Sequence, residues 1–342
     1  MPYLSTSSYK APFWLPGGHI QTIFPNLFRK EEPVSMQRTR IPTPDGDEIC
    51  LDTALSASNP ARIAVILSHG LEGDSSRHYI AGMCRVFTAM GWDCAARNFR
   101  SCGGEMNKTE IMYHSGDTDD LHTVVEHCLG LGYNHLLLVG FSMGGNQVLK
   151  YLGEQPFRVP AAVRAAVTFS VPCDLPGAAV QLGKLRNRVY MRYFMKTLRE
   201  KVRIKHAQFP YLYPLKGLDR ITTFAEFDER YTAPIHGFSS AEDYWRRASS
   251  LPYLHRIRIP TLLVNARNDP FLSPRCSPVS IAENSPVFFL ETPSDGGHVG
   301  FTSALGDGSY WSELRAVNFF RSTCLHKMRE YREQAGPREK SA

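Results

Sequence analysis

"LLLVGFSMGGNQVLKYL", residues 136–152, joins an apolar run, a glycine-rich turn and a helical pattern. The apolar run lacks polar alternation, which is typical of a strand covered on both faces. It ends at Gly140, and Ser142 follows before the two glycines that begin the helical pattern. The segment has the form G-x-S-x-G, in which a serine occupies a strained turn between a strand and a helix. We therefore expect Ser142 at the apex of a tight bend, at the carboxyl edge of a sheet.

Strand-like runs alternate with helical patterns along most of the chain. The other runs are RIAVILSHG, DCAARNF, AVRAAVTFSV, IPTLLVNARNDP and VFFLETPSDGGH. Such alternation predicts parallel βαβ units with right-handed crossovers. Ahead of them, residues 35–55 predict a β-hairpin around the turn Pro44-Asp45-Gly46. These patterns indicate an α/β protein with a doubly wound, mostly parallel sheet and an N-terminal antiparallel hairpin.

The alternation breaks after the strand-like run that ends near residue 173. The next 75 or so residues are helical, aromatic and basic, as counted along the sequence, and an insertion of this length is typical of an active-site lid. The last helical pattern runs from about Tyr310 to Gln334. The first residues are too apolar for a free tail, so we expect an arm packed on the core. The alternative is that part of this arm lines a substrate pocket. We expect an arm at residues 1–33 and a core made of residues 34–173 and 251–334. A helical cap is predicted at residues 174–250 and a flexible tail at residues 335–342.

Composition excludes several classes of protein. The chain has 342 residues, 43% of them hydrophobic, and a net charge of +6. It has no basic tract threaded with aromatic residues, so nucleic-acid binding is not expected. The eight cysteines are scattered without a CxxC pair, so a zinc site is not expected. Their even number is compatible with disulfides, but several lie within apolar strand-like or helical patterns, which favours reduced thiols. With no signal-peptide pattern and no apolar run of about 18 residues, we expect a cytoplasmic protein that needs no cofactor or metal.

The candidate nucleophile needs two partners. A serine hydroxyl reacts poorly unless a base accepts its proton and a carboxylate orients that base. In this strand–turn–helix setting the acid follows a late strand and the histidine follows the last strand. Asp269 ends the run TLLVNARND and His298 lies in ETPSDGGHVGF, so both fall at the sheet edge that carries Ser142. Asp174, which follows the preceding strand, and Asp295 are alternative acids.

Two backbone N–H groups are expected to stabilise the oxyanion of a tetrahedral intermediate. One belongs to Met143, directly after the nucleophile. The second belongs to Leu71 in the loop SHGLEGDSS, where Gly70 lets the chain turn. We expect His69, in the same loop, to form structural hydrogen bonds and not to act as a base.

Over nearly its whole length the chain resembles the YheT-like branch of the α/β-hydrolases. The resemblance rests on the segments WLPGGHIQTIFP, SHGLEG, NFRSCGGE, YHSGDTDDL, GFSMGGN, EFDERYTAPIHGF, ARNDPF and GGHVGF. It implies the α/β-hydrolase fold, a triad of Ser142, Asp269 and His298, and hydrolysis of carboxylic esters, acylglycerols included.

Three further sequence patterns each allow two interpretations. The cap segment FAEFDERYTAPIHGF holds aromatic residues that could wall an acyl pocket or simply pack the lid, namely Phe224, Phe227, Tyr231 and Phe238. The basic residues of LGKLRNRVYMRYFMKTLREKVRIKH recur at helical spacing, so they form either a solvated face or a peripheral contact with an anionic lipid surface. HSGDTD, residues 114–119, has the H-x-x-x-x-D spacing of some acyltransferases, but its acidic residues more simply cap a helix.

These observations lead to a functional hypothesis. We expect a serine hydrolase that cleaves short- to medium-chain acyl esters or acylglycerols through an acyl-enzyme on Ser142. Its partner would be a small-molecule ester. The alternatives are an acyltransferase that passes the same acyl group to an alcohol, and a non-catalytic ligand-binding protein of the same fold.

Overall fold

The computed structural model describes residues 2–29, 34–303 and 308–325. Their strands form one nine-stranded sheet in the order β1-β9-β8-β7-β6-β4-β5-β3-β2. Neighbours from β1 to β5 are parallel, and only the β5–β3 and β3–β2 pairs are antiparallel. The mostly parallel sheet with an N-terminal antiparallel hairpin is therefore confirmed. The strands β1 to β9 are Tyr3–Leu4, Gln37–Pro42, Glu48–Ala54, Ile63–Ser68, Asp93–Arg97, His135–Phe141, Val163–Phe169, Thr261–Val264 and Phe288–Glu291.

Helices cover both faces of the sheet, which explains why the central strands are apolar at most positions. Neighbouring residues of β4 point to opposite faces: Ile66 packs in one apolar cluster with Val124, and Val65 packs in a second with Phe87. Each fully buried side chain of this size stabilises the fold by about 1.5–3 kcal/mol. The helices α1 to α11 are Gly18–Phe28, His78–Ala89, Asp119–Gly130, Met143–Glu154, Leu175–Leu182, Arg188–Gln208, Phe224–Phe227, Ala233–Ile235, Ala241–Ala248, Val279–Glu283 and Trp311–Phe320.

The N-terminal segment is more regular than its sequence indicates. Tyr3 and Leu4 pair in parallel with Leu290 and Glu291 and so extend the sheet beyond β9. The following helix, α1, lies against the loop after β8. Gly18 approaches that loop so closely that a Cβ there would lie 1.9 Å from the carbonyl oxygen of Asn268.

The chain between β7 and β8 forms helices α5 to α9 and, with every residue from 170 to 260 described, contains no strand. Its longest helix, α6, buries Met191, Met195, Leu198 and Val202 at helical spacing. The basic residues of α6 and the turn before it lie mostly outward, with Lys184, Arg188, Arg192, Lys196 and Arg203 exposed. A π-helical turn over Asp228–Thr232 joins α7 to α8.

The structure describes only the first part of the predicted C-terminal helix. Helix α11 spans Trp311–Phe320, and a π-helical turn over Arg321–Leu325 follows it. The predicted continuation to Gln334, and the predicted tail at 335–342, lie outside the described residues.

The contact between α1 and the loop after β8 gives a testable prediction. Gly18→Ala should lower the free energy of unfolding by about 1–3 kcal/mol, because the new methyl group has no room beside Asn268. Urea denaturation followed by circular dichroism measures this change.

Gly130→Ala is the matched control, since Gly130 also lies in a helix and a Cβ there would meet nothing within 4 Å. We expect this control to be neutral or to stabilise the protein by up to about 1 kcal/mol. Equal stability of the two variants would contradict the close contact at Gly18.

Candidate active site

Ser142 lies at a strained turn between β6 and α4. Its backbone angles are φ 52° and ψ −118°, a conformation that non-glycine residues rarely adopt. The turn needs close backbone contacts, because a Cβ at Gly140 would lie 2.6 Å from Cα of Gly145, and one at Gly144 would lie 2.4 Å from the carbonyl oxygen of His69. The result is a hydroxyl held at the N-terminus of a helix, where the helix dipole favours developing negative charge.

The imidazole of His298 bridges the hydroxyl of Ser142 and the carboxylate of Asp269. Nε2 lies 2.9 Å from Oγ of Ser142, and Nδ1 lies 2.8 Å from Oδ2 of Asp269. The Asp269 side chain is fully buried, and its other oxygen accepts the N–H of Phe271 at 2.8 Å. The Phe271 ring packs against the imidazole with 4.2 Å between ring centroids. With Nδ1–H donated to the carboxylate, Nε2 can accept the serine proton.

The alternative acids have other partners. Asp174 accepts a hydrogen bond from the Ser273 hydroxyl at 2.8 Å. Asp295 accepts one from the side-chain amide of Asn268 at 3.0 Å. The structure therefore brings Asp269, and neither alternative, to His298.

The loop after β4 lies against the serine. A Cβ at Gly70 would lie 3.3 Å from Cβ of Ser142. The N–H groups of Leu71 and Met143 have no hydrogen-bond acceptor among the described residues, and both residues line the same cavity as Ser142. His69 is fully buried, it bonds the Gly70 carbonyl through Nδ1, and its Nε2 accepts the N–H of Phe99. Burial lowers the pKa of His69 to about 3, so its imidazole is neutral.

Glu72, next to Leu71, joins this loop to the cap. It adopts φ 55° and is 8% exposed. Lys201 of α6 reaches its Oε1 at 2.7 Å, and the hydroxyl of Tyr113 donates to the same oxygen. A buried carboxylate is costly without such partners. The ion pair between Lys201 and Glu72 thus holds the conformation of the loop from the cap side. The sequence analysis did not predict this ion pair.

Helix α1 holds the loop that carries His298. The N–H of His298 donates to Oγ1 of Thr22 at 2.8 Å, and the N–H of Gly296 donates to Oε1 of Gln21 at 2.8 Å. Asn268, beside Asp269, donates to the same Gln21 oxygen at 2.9 Å. The sequence analysis did not predict these hydrogen bonds. The only sequence feature that pointed to a role for α1 was the segment GGHIQT.

A cavity of about 130 Å³ opens onto Ser142 and His298. Of the four aromatic residues predicted to wall an acyl pocket, Phe224, Phe227 and Tyr231 line it. Phe238 is not among the lining residues and packs instead against Tyr244, 5.2 Å between ring centroids. No residue of α1 lines the cavity. The N-terminal arm therefore contributes to the site by holding the loop that carries His298.

The HSGDTD motif does not form a second catalytic pair. His114 is half-buried in the wall of the cavity, whereas Asp119 lies at the start of α3 with its side chain 78% exposed and paired with Arg158. Oδ1 of Asp117 accepts the N–H groups of Asp119 and Asp120 at 3.2 and 3.3 Å. The acidic residues thus serve the start of the helix, which is the simpler of the two predicted roles.

Two general features of the described residues bear on partners. Their histidine, cysteine and acidic side chains do not gather in threes at a spacing that could hold a metal ion. None of the helices in these residues combines the length and apolar character that crossing a bilayer requires.

Known proteins share both the fold and the sequence. A family model described as "alpha/beta hydrolase fold" matches residues 63–304. YheT of Escherichia coli (strain K12) is 35% identical over 305 residues, which cover 87% of this chain and 88% of YheT. "Phospholipase ABHD3" of Homo sapiens is 30% identical over 308 residues, covering 88% of this chain and 75% of that protein. A solved esterase of Pyrococcus furiosus, at 18% identity, shares the fold with a TM-score of 0.58, covering 85% of this chain and 91% of that one. The chain therefore belongs to the α/β-hydrolase family, in the branch that contains YheT.

Proposed function

We propose that the protein hydrolyses carboxylic esters through an acyl-enzyme on Ser142. The observation that carries the proposal is the single imidazole within 2.9 Å of a strained serine hydroxyl and 2.8 Å of a buried carboxylate. His298 accepts the Ser142 proton as the oxygen attacks the ester carbonyl. Asp269 holds the imidazole in the required tautomer and stabilises the imidazolium that forms.

The remaining steps use the same groups. The N–H groups of Leu71 and Met143 stabilise the oxyanion of the tetrahedral intermediate, and loss of one such donor typically costs about 2.7–4 kcal/mol. His298 then gives its proton to the leaving alcohol. A water molecule, deprotonated by His298, releases the acid from Ser142 and restores the enzyme.

Two kinds of observation support an ester as the substrate. The name given to YheT contains the word esterase, and the ABHD3 relative is named a phospholipase. The cavity beside Ser142 is lined largely by aromatic and aliphatic side chains, among them Phe194, Leu198 and Phe224. The apolar part of this cavity suits a short- to medium-chain acyl group.

The assignment of the acid is tested by paired substitutions. On p-nitrophenyl esters of rising chain length, Asp269→Asn should lower kcat about ten-thousandfold, because the imidazole loses its orienting carboxylate. Ser142→Ala should abolish turnover and labelling by a fluorophosphonate probe. Asp174→Asn is the matched control and should stay within about threefold of wild type. A large loss in Asp174→Asn with an active Asp269→Asn would refute the assignment.

The link between the cap and the loop at Leu71 gives a second prediction. Lys201→Met should lower kcat about tenfold with a smaller change in KM, because Glu72 loses the partner that holds the oxyanion-binding loop. Arg203→Met removes a cation from the exposed face of the same helix and should change neither constant. Steady-state kinetics measures kcat and KM of both variants, and thermal melting checks that both are folded. Unchanged kcat in a folded Lys201→Met variant would exclude a positioning role.

A further inference from the structure

One part of the cavity is polar, although the rest is apolar. The apolar part is built from α6 and α7, where Phe194, Leu198 and Phe224 belong to one hydrophobic cluster. The polar part is built from the π-helical turn, α9 and the segment before α3. Its lining includes Asp228, Thr232, His236, His114, Tyr244 and Trp245.

Asp228 is a buried carboxylate with unused acceptor capacity. Oδ1 accepts the Thr232 hydroxyl at 2.6 Å, and Oδ2 accepts the indole N–H of Trp245 at 2.8 Å. Within the described residues it forms no ion pair with a lysine or arginine, and burial raises its pKa to about 6. Each carboxylate oxygen can accept a further hydrogen bond. A buried charge with two neutral partners is therefore only partly compensated.

Donor groups line the same cavity as this carboxylate. The Tyr244 hydroxyl accepts the N–H of Ser115 at 3.0 Å, which leaves its own hydrogen without an acceptor among the described residues. Nδ1 of His114 accepts the N–H of Gly116, so the neutral ring carries its hydrogen on Nε2. Burial lowers the pKa of His114 to about 3, which keeps that ring neutral. The wall thus offers an acceptor and donors together.

The polar part is held at a fixed place relative to Ser142. Asn146, one turn after Ser142 in α4, donates to the carbonyl oxygens of Ser115 and Ala248, each at 2.8 Å. Its Oδ1 accepts the N–H of Ser250 at 2.9 Å. The amide is fully buried. Through it, the nucleophile helix positions both the segment that bears His114 and the end of α9.

We propose that Asp228 and Tyr244 form a subsite for a hydroxyl group on the alcohol part of the ester. A hydroxyl both donates and accepts, so it can give its hydrogen to Asp228 and accept one from Tyr244. A hydrogen bond to a charged acceptor discriminates more strongly than a neutral one. The acyl chain then occupies the apolar part, and the carbonyl carbon between the two parts meets Ser142. This assignment rests on the proposed ester hydrolysis and extends it to the class of alcohol.

The test compares three octanoate esters that share the acyl group. They carry 2,3-dihydroxypropyl, propyl or 3-(dimethylamino)propyl as the alcohol part. Wild type should hydrolyse the dihydroxypropyl ester with kcat/KM about tenfold above that of the propyl ester. Asp228→Asn, which keeps the shape of the side chain but removes its charge, should reduce this ratio roughly fivefold, because hydrolysis of the dihydroxypropyl ester should fall more than hydrolysis of the propyl ester. Tyr244→Phe, which keeps the aromatic ring, should also reduce the ratio, and thermal melting checks that it remains folded.

Asp219→Asn is the matched control, because Asp219 lies in the same cap with its side chain 77% exposed. It should leave the ratio unchanged. A ratio that is unaffected by both Asp228→Asn and Tyr244→Phe would overturn the subsite, and so would a preference for the dimethylamino ester, which would indicate a cation site. If Ser142→Ala still hydrolysed the esters, the proposed function itself would fail. Hydrolysis by Ser142→Ala thus tests the proposed function, whereas the ratio of kcat/KM between the two esters tests the subsite.

Discussion

The close backbone contact between the end of β6 and the start of α4 is the constraint on which the candidate site depends. Gly140 permits it, because a Cβ there would lie 2.6 Å from Cα of Gly145. Gly144 and Gly145 let the start of α4 approach His69 and Val171, where a Cβ would meet atoms at 2.4 and 2.5 Å. The turn so formed holds Ser142 at φ 52°. Such strain costs of order 1–3 kcal/mol and persists only where the surrounding structure enforces it. Here the buried strands on either side of β6 provide that enforcement.

The loops after β4, β8 and β9 then complete the candidate site around the serine. The loop after β9 carries His298 and is held by Thr22 and Gln21 of α1. The loop after β4 carries Leu71 and is held by Lys201 of the cap through Glu72. In both cases a loop of the candidate site gains its conformation from an element outside the parallel core. The cap and the N-terminal helix therefore contribute to the geometry of the site as well as to the walls around it.

The fold and the Ser142 turn were predictable from sequence because their signals are local: strand-like runs of four to seven residues and a five-residue glycine pattern. The order of serine, acid and histidine follows from the same alternation, and it led to the Asp269 and His298 that the structure brings together. The supports from Gln21, Thr22 and Lys201 were not predictable. Their partners lie 129 to 276 residues away along the chain, and no periodicity encodes such pairings. The short strand β1 was missed for the same reason, since two residues carry no pattern.

The two edges of the sheet have a consequence for the behaviour of the protein at high concentration. An open strand edge presents unpaired N–H and C=O groups that can recruit another chain. At one edge, the two-residue β1 occupies the free side of β9 and leaves only a very short edge of its own. At the other, β2 presents Arg38, Arg40 and Pro42, whose charge and missing N–H discourage the addition of a strand. The sheet thus offers little template for edge-to-edge aggregation, although most of its strands are apolar.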